Sequence, residues 1–338
     1  MGRYVARRLL QFIPVIIGTL FLLHLLSVIT IQTVGDPVRA LFGENAPPDE
    51  VIRQLQTEYG LDNKCLRGGG IYPFNPCIGM FFERMGQYLS FDFGVNFRGR
   101  PVTELFMERI GVTLRMTVIA LIFETVVGIL LGIAAGLKKD KFVDNFVRFS
   151  TVILIAIPVF VFGSLALLFI GLKFGLMLRE STWAPEWLGQ MFNVGYNEEY
   201  PWLSLFLPGL VLGAFSLAAI ARLTRTSLIE NLSSDYVRTA KAKGLTRRRI
   251  IGVHTLRNSL IPVVTYIGID VGLLLGGSLV TEGIFNVPGV GQLVFQATRA
   301  NDGAVILGVV TILTVVFLVA NLIVDILYAA LDPRIRYE

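Results

Sequence analysis

The chain has 338 residues, 54% hydrophobic and 16% charged, with 24 Phe and a mean hydropathy of +0.66. That balance excludes an ordinary soluble domain, whose apolar share is lower and more evenly spread. The net charge of +5 gathers in loops beside apolar runs, so it is not a footprint for nucleic acid.

Leu9 to Ile31 is the first apolar run, with His24 as its ionisable side chain. About 20 apolar residues cover the roughly 30 Å hydrocarbon layer, so the run can span. Arg3, Arg7 and Arg8 precede it as in a signal peptide, but the run is too long for an h-region and no A-x-A site ends it. A retained first helix is expected. Further spans are predicted at 112–137, 149–172, 203–221, 260–281 and 304–330, six in all. Helices are the expected form, because lipid offers no partner to a bare backbone. Three regions result: 1–31, an extracytoplasmic stretch over 32–111, and a core over 112–338 with a large inner loop at 222–258.

Orientation follows from the basic residues. With the N-terminus inside, the inner parts carry Arg3, Arg7 and Arg8, then Lys138, Lys139, Lys141 and Arg148, then the cluster in 222–258, then Arg334 and Arg336. Acidic residues outnumber basic ones in the outer loops. Both facts obey the positive-inside rule and place both termini in the cytoplasm.

In 32–111, "APPDEVIRQLQTEYGL" reads as a helix start, with Asp49 at the N-cap and Val51, Leu55 and Tyr59 on one face. Cys65 and Cys77 fall in this region and no cysteine lies elsewhere. On the side where disulfides persist, a bridge closing "CLRGGGIYPFNPC" is expected, lowering unfolded-chain entropy by ~3 kcal/mol in the chain-entropy model; two free thiols are the alternative. "KFVDNFVRF" reads as a short amphipathic inner link. The second outer loop, 173–202, holds Trp183, Trp187 and Trp202, which suit a membrane–water boundary.

Two spans carry glycine at every fourth position: Gly128, Gly132 and Gly136 in the second, Gly268, Gly272 and Gly276 in the fifth. Each set lies on one helix face and lets backbones approach closely in lipid, so a packed central pair of spans two and five is expected. Pro158 and Pro208 are predicted kinks. Glu124, Asp270 and Asp325 sit inside predicted spans, where charge is costly. Asp325 reads as a structural cap. For Glu124 and Asp270 a structural role and a place on a substrate pathway weigh equally.

The chain has no G-x-x-x-x-G-K-[ST] loop, no H-E-x-x-H, no cysteine cluster and no Ser/His constellation. No catalytic, metal or cofactor residues are expected.

The stretch "DYVRTAKAKGLTRRR", Asp235 to Arg249, packs basic residues among small ones. Ser234 or Asp235 can N-cap a short helix that Gly244 ends. Tyr236 and Ala240 then share a face, Arg238 and Lys241 another, and Lys243 meets the C-terminal end of the dipole. Thr246 can cap a second basic helix. A bland topogenic loop is one reading. Binding to anionic lipid would want large apolar anchors, whereas Ala240, Ala242 and Gly244 are small. Docking into a protein groove suits a small-faced helix with Tyr236 as anchor.

This loop resembles the "EAA" coupling segment of binding-protein-dependent ABC importer permeases, and more narrowly the B-type subunit of the dipeptide/oligopeptide and nickel family. The likeness runs through "RYVARRLLQFIPVIIG", "GDPVRALFG", "DFGVNFRGRPVTELF", "TEGIFNVPGVGQLV" and "NLIVDILYAALDPRIRY". The motif's Glu-Ala-Ala falls on Arg238, Thr239 and Ala240 and its glycine on Gly244, so the acidic residue and one Ala are absent; Leu260-Ile261-Pro262 stands for Leu-Pro. The family's Pro before "GDP" is Val34, and "CLRGGGIYPFNPC" is an insertion. The resemblance implies an all-α, six-span permease of the type I importer fold in a bacterial inner membrane. It would work with a homologous permease, two cytoplasmic ATPases that bind ATP and Mg, and an external solute-binding protein. Asp235, Tyr236, Arg238, Thr239, Ala240, Lys241, Ala242, Lys243 and Gly244 would couple to the ATPases. Peptides are the implied substrate, with nickel or small glycosides as alternatives. Rival classes are a proton- or ion-coupled transporter using Glu124 and Asp270, and a membrane anchor for a cytoplasmic partner.

Overall fold

The computed structural model describes residues 2–34, 47–58, 76–300 and 302–331. Among them the chain is helical, with one isolated bridge between Val95 and Pro101. The helices are α1 (Gly2–Val34), α2 (Asp49–Glu58), α3 (Pro76–Leu89), α4 (Val102–Leu137), α5 (Phe142–Ala156), α6 (Val159–Glu180), α7 (Glu186–Met191), α8 (Phe206–Leu232), α9 (Asp235–Ala242), α10 (Arg247–Ser259), α11 (Ile261–Phe285), α12 (Val290–Arg299) and α13 (Gly303–Leu331). Cys65 lies outside the described residues, as do the side chains of Cys77 and Asp325.

Two compact units divide the chain: residues 1–111 with 288–338, and residues 112–287. In the first, Val102, Leu105 and Phe106 pack with Val290, Leu293, Ala297, Val305 and Val309. Buried Asp302 starts α13, accepting the Val305 N–H at 3.2 Å and the Phe97 N–H at 3.2 Å. Phe81 of α3 meets Phe21 of α1 edge-on at 5.2 Å.

The second unit is built around α8. In its most apolar stretch 61% of residues are buried, against 28% for α4 and 22% for α6. The α4 glycines show why α8 is central. A Cβ on Gly128 would stand 2.8 Å from Ile220, one on Gly132 2.4 Å from Thr224, and one on Gly136 3.0 Å from Leu228. On α8 the glycines change sides: a Cβ on Gly209 would meet Ile119 at 2.6 Å, and one on Gly213 the Ala120 carbonyl at 2.7 Å. Residue numbers rise together along this seam, so α4 and α8 run parallel.

The glycine pairing expected between spans two and five is therefore corrected. The α4 set meets α8. On α11, Gly272 is buried and Gly268 partly so, while a Cβ on Gly276 meets nothing within 4 Å. Spacing shows that a face is small; it does not show which neighbour uses it.

Other boundaries shift for local reasons. Pro158 breaks rather than kinks the third span: with φ −56° and ψ 139° it separates α5 from α6, so the long apolar helix is Val159–Glu180 rather than 149–172. Its chain continues helical past 173, through a π-helical segment, Leu167–Phe174. Pro208 kinks nothing, because it sits in the first turn of α8, where an N–H has no helical partner. The loop expected at 222–258 is mostly helical. Below Leu260, α10 meets α11 at a 44° bend, and buried Ser259 donates to the Thr255 carbonyl at 2.8 Å and the Ser227 carbonyl of α8 at 3.4 Å.

Four described helices are long and apolar enough to cross a membrane, α4, α6, α8 and α13, and the bent α10–α11 pair makes up to five. Their outer faces fit lipid: Leu114, Val118, Ile122, Val126 and Leu130 stand exposed along α4.

The two glycine sets give a direct test. Gly132→Ala overpacks the seam and should cost about 1–3 kcal/mol, lowering the melting temperature of the detergent-solubilised protein. Gly276→Ala, which meets open space, should leave it unchanged.

Candidate functional site

Among the described residues of the second unit, three arrangements carry polar chemistry. The first joins Glu124 of α4, Ser216 of α8, and Tyr266 and Asp270 of α11. Glu124 is 0% exposed and Asp270 1%. The Ser216 hydroxyl donates to Asp270 Oδ1 at 2.8 Å, and Tyr266 reaches Ser216 and Asp270. Among the described residues no donor reaches either Glu124 oxygen or Asp270 Oδ2; the group facing Glu124 is the Asp270 carboxyl. Two facing acceptors can hold one proton, or one cation, between them. The structure thus brings together the two acids singled out in the sequence. It adds Ser216 and Tyr266, which lone polar residues in apolar runs did not mark out. About three turns away along α4, Thr113 donates to the buried Glu282 carboxylate at 2.7 Å, so Glu282, just past the predicted span 260–281, belongs to the helix core.

The second arrangement is the basic segment. Ser234 holds the N-cap position of α9 with extended backbone, though its hydroxyl donates back to the Asn231 carbonyl at 2.6 Å instead of capping. At the other end Gly244 has φ +74°. The Leu245 N–H reaches the Ala240 carbonyl at 3.2 Å and the Gly244 N–H the Lys241 carbonyl at 3.0 Å. This is a Schellman closure, and it needs a residue without Cβ at Gly244. Val237 and Ala240 are buried against Leu245 and Ile250. The small face expected to enter a partner's groove is therefore turned onto the chain's own α10. Tyr236, 37% exposed, donates to Asn231 Oδ1 at 2.7 Å. Arg238, Thr239, Lys241, Ala242 and Lys243 face solvent. The Asp235–Arg238 pair at 3.3 Å is exposed and adds little.

A buried ion pair ties the link helix α5 to α8. Asp144, fully buried, takes the Arg225 guanidinium in both oxygens, Nε on Oδ1 and NH2 on Oδ2, the latter at 2.7 Å. The Asp140 N–H adds a bond at 2.9 Å. The sequence held a missed signal: Asp144, Val147 and Thr151 share one buried face of α5, an acid where an apolar residue belongs.

Comparison with known proteins now adds to this geometry. Residues 128–337 match the family model described as "Binding-protein-dependent transport system inner membrane component". The chain belongs to this family. Over their full lengths, the chain and the dipeptide transport system permease DppB of Haemophilus influenzae are 36% identical. DppB of Escherichia coli K12 and the glutathione transport system permease GsiC of the same strain are each 34% identical, again over whole chains. A chain of the methionine ABC transporter MetNI, in inward-facing conformations, has the same fold, with a TM-score of 0.51, 19% identity, and coverage of 68% of this chain and 96% of that one. The protein is thus a multi-pass component of a bacterial inner membrane, a permease and not an enzyme.

The guanidinium of Arg225 holds the Asp144 carboxyl below its ordinary value of 3.8. The sign follows: the pair's contribution is present above the ordinary value and lost only as pH falls through the lowered one. Asp144→Asn leaves a mostly buried guanidinium short of its counter-charge and should cost about 3 kcal/mol. In thermal unfolding, the gap between wild type and this variant should stay constant down to about pH 5 and close only in stronger acid.

Proposed function

We propose that the protein is one of two homologous permease subunits of an ATP-driven importer of small peptides. In this reading six helices span the membrane with both termini inside. Two cytoplasmic ATPases supply ATP and Mg binding, and an external solute-binding protein delivers substrate. The observation that carries the reading is full-length similarity to permeases named for dipeptide and glutathione transport, combined with a separate basic helix, α9, seated on α10.

The proposed mechanism is alternating access. ATP closes the ATPases, and α9, locked by its Gly244 closure and buried Val237, transmits that motion as a rigid unit through α10 to α11. Binding energy present in one state and lost in the other biases the gate. The outward face for the ATPases is Tyr236, Arg238, Thr239, Lys241, Ala242 and Lys243, with Asp235 at its start. Glu124 and Asp270 belong to the path: paired and closed in the present state, they would meet a peptide ammonium when α8 and α11 separate from α4.

The pairing of two buried acids also favours a second reading, coupling to protons or ions without ATP. Proteoliposomes separate the two. With partner subunits present, dipeptide uptake should require ATP and should not follow a proton gradient alone. Gly244→Val strains the closure of α9 and should lower uptake at least about tenfold while ATPase subunits still bind ATP. Unchanged uptake in that variant would sink the role given to α9.

A further inference from the structure

Between α9 and the ends of α4 and α8, the chain forms a half-open cavity of about 410 Å³. Leu137 ends α4 there and Leu232 ends α8; Val237, Leu245, Ile250 and Ile251 add further apolar lining, and Lys241 and Arg247 supply its charges. Both cations are exposed. Asp235, the acid of α9, pairs with Arg238 instead. Lys241 and Arg247 have no ion pair among the described residues. The cavity therefore has an apolar interior and a doubly positive lip, at the level where two membrane helices end.

Its apolar wall continues along one helix face. Leu130 and Val126 lie seven and eleven residues before Leu137, close to whole numbers of helical turns, and are 60% and 50% exposed. A molecule with a negative head and a long chain would find two cations for the first and exposed apolar side chains on the same face of α4 for the second. The large apolar anchors that α9 lacks come from α4, α8 and α10.

We propose that this cavity is a binding site for a single anionic phospholipid, its phosphate held by Lys241 and Arg247 and its acyl chain laid along α4. The site rests on α4 and α8 being membrane helices and does not depend on the transport reading. Two guanidinium or ammonium groups converging on one phosphate make charge-assisted bonds.

Native mass spectrometry of the purified full-length chain tests it, with phosphatidylglycerol and phosphatidylcholine offered together. One phosphatidylglycerol should be retained in preference. Lys241→Gln with Arg247→Gln should lower that retention about thirtyfold. Arg238→Gln with Lys243→Gln removes equal charge away from the cavity and should leave it unchanged. Lys241→Arg with Arg247→Lys should retain it, which separates lost charge from a misfolded variant. Equal retention of both lipids, equal loss in the two Gln pairs, or displacement of the lipid by millimolar inorganic phosphate would each overturn the proposal. The last would mark a free-anion site rather than a lipid site.

Discussion

The second unit depends on how closely two backbones can approach. In lipid, apolar side chains gain little by leaving their surroundings, so helices associate where small residues let main chains touch. Along α4 and α8 five glycines do this, three from one helix and two from the other. The handover between Gly213 and Gly128 keeps the seam tight over most of its length. Once α8 is set against α4, its remaining faces are fixed: one takes the link helix through Arg225 and Asp144, another takes α11 through Ser216 and Asp270. The polar contacts are buried because the seam leaves no gap beside them.

Such burial changes what the polar residues do. Asp144 is matched by a guanidinium and holds a helix in place. Glu124 is matched by another acid. A fold that needed only stability would fill that position with leucine, since a partnered charge in an apolar interior rarely improves on good packing. A carboxyl pair shared by three helices is an arrangement whose state changes when any of the three moves.

Much of this was legible in the sequence. Long apolar runs marked the membrane helices, because span length and hydropathy follow directly from bilayer thickness. The end of α9 was legible because glycine is the residue that tolerates a left-handed closure. Partners were less legible than faces. The four-residue spacing of Gly128, Gly132 and Gly136 announced a tight contact, yet nothing local says whether span four or span five fills it. Ala240 was assigned to an outward face because smallness suits any close neighbour, and the neighbour proved to be α10 of the same chain. Pro158 illustrates the limit in the other direction: proline says that a helix is interrupted, and the surroundings decide between a bend and a full stop.

The joint at Leu260 has a consequence of its own. Hydrogen bonds run through it on both sides, from the Leu260 N–H to Leu256 at 3.0 Å and from the Val264 N–H to Leu260 at 2.8 Å. It is a stiff elbow, and Ser259 anchors its inner edge against α8. A rod bent at 44° beside a fixed point works as a crank with a fulcrum. In the proposed transport cycle, force applied along the short arm, α10, would swing the long arm, α11, sideways instead of pushing it through the membrane. The gearing would be set by the arm lengths, so a small displacement at the basic end would become a wider sweep at the far end of α11.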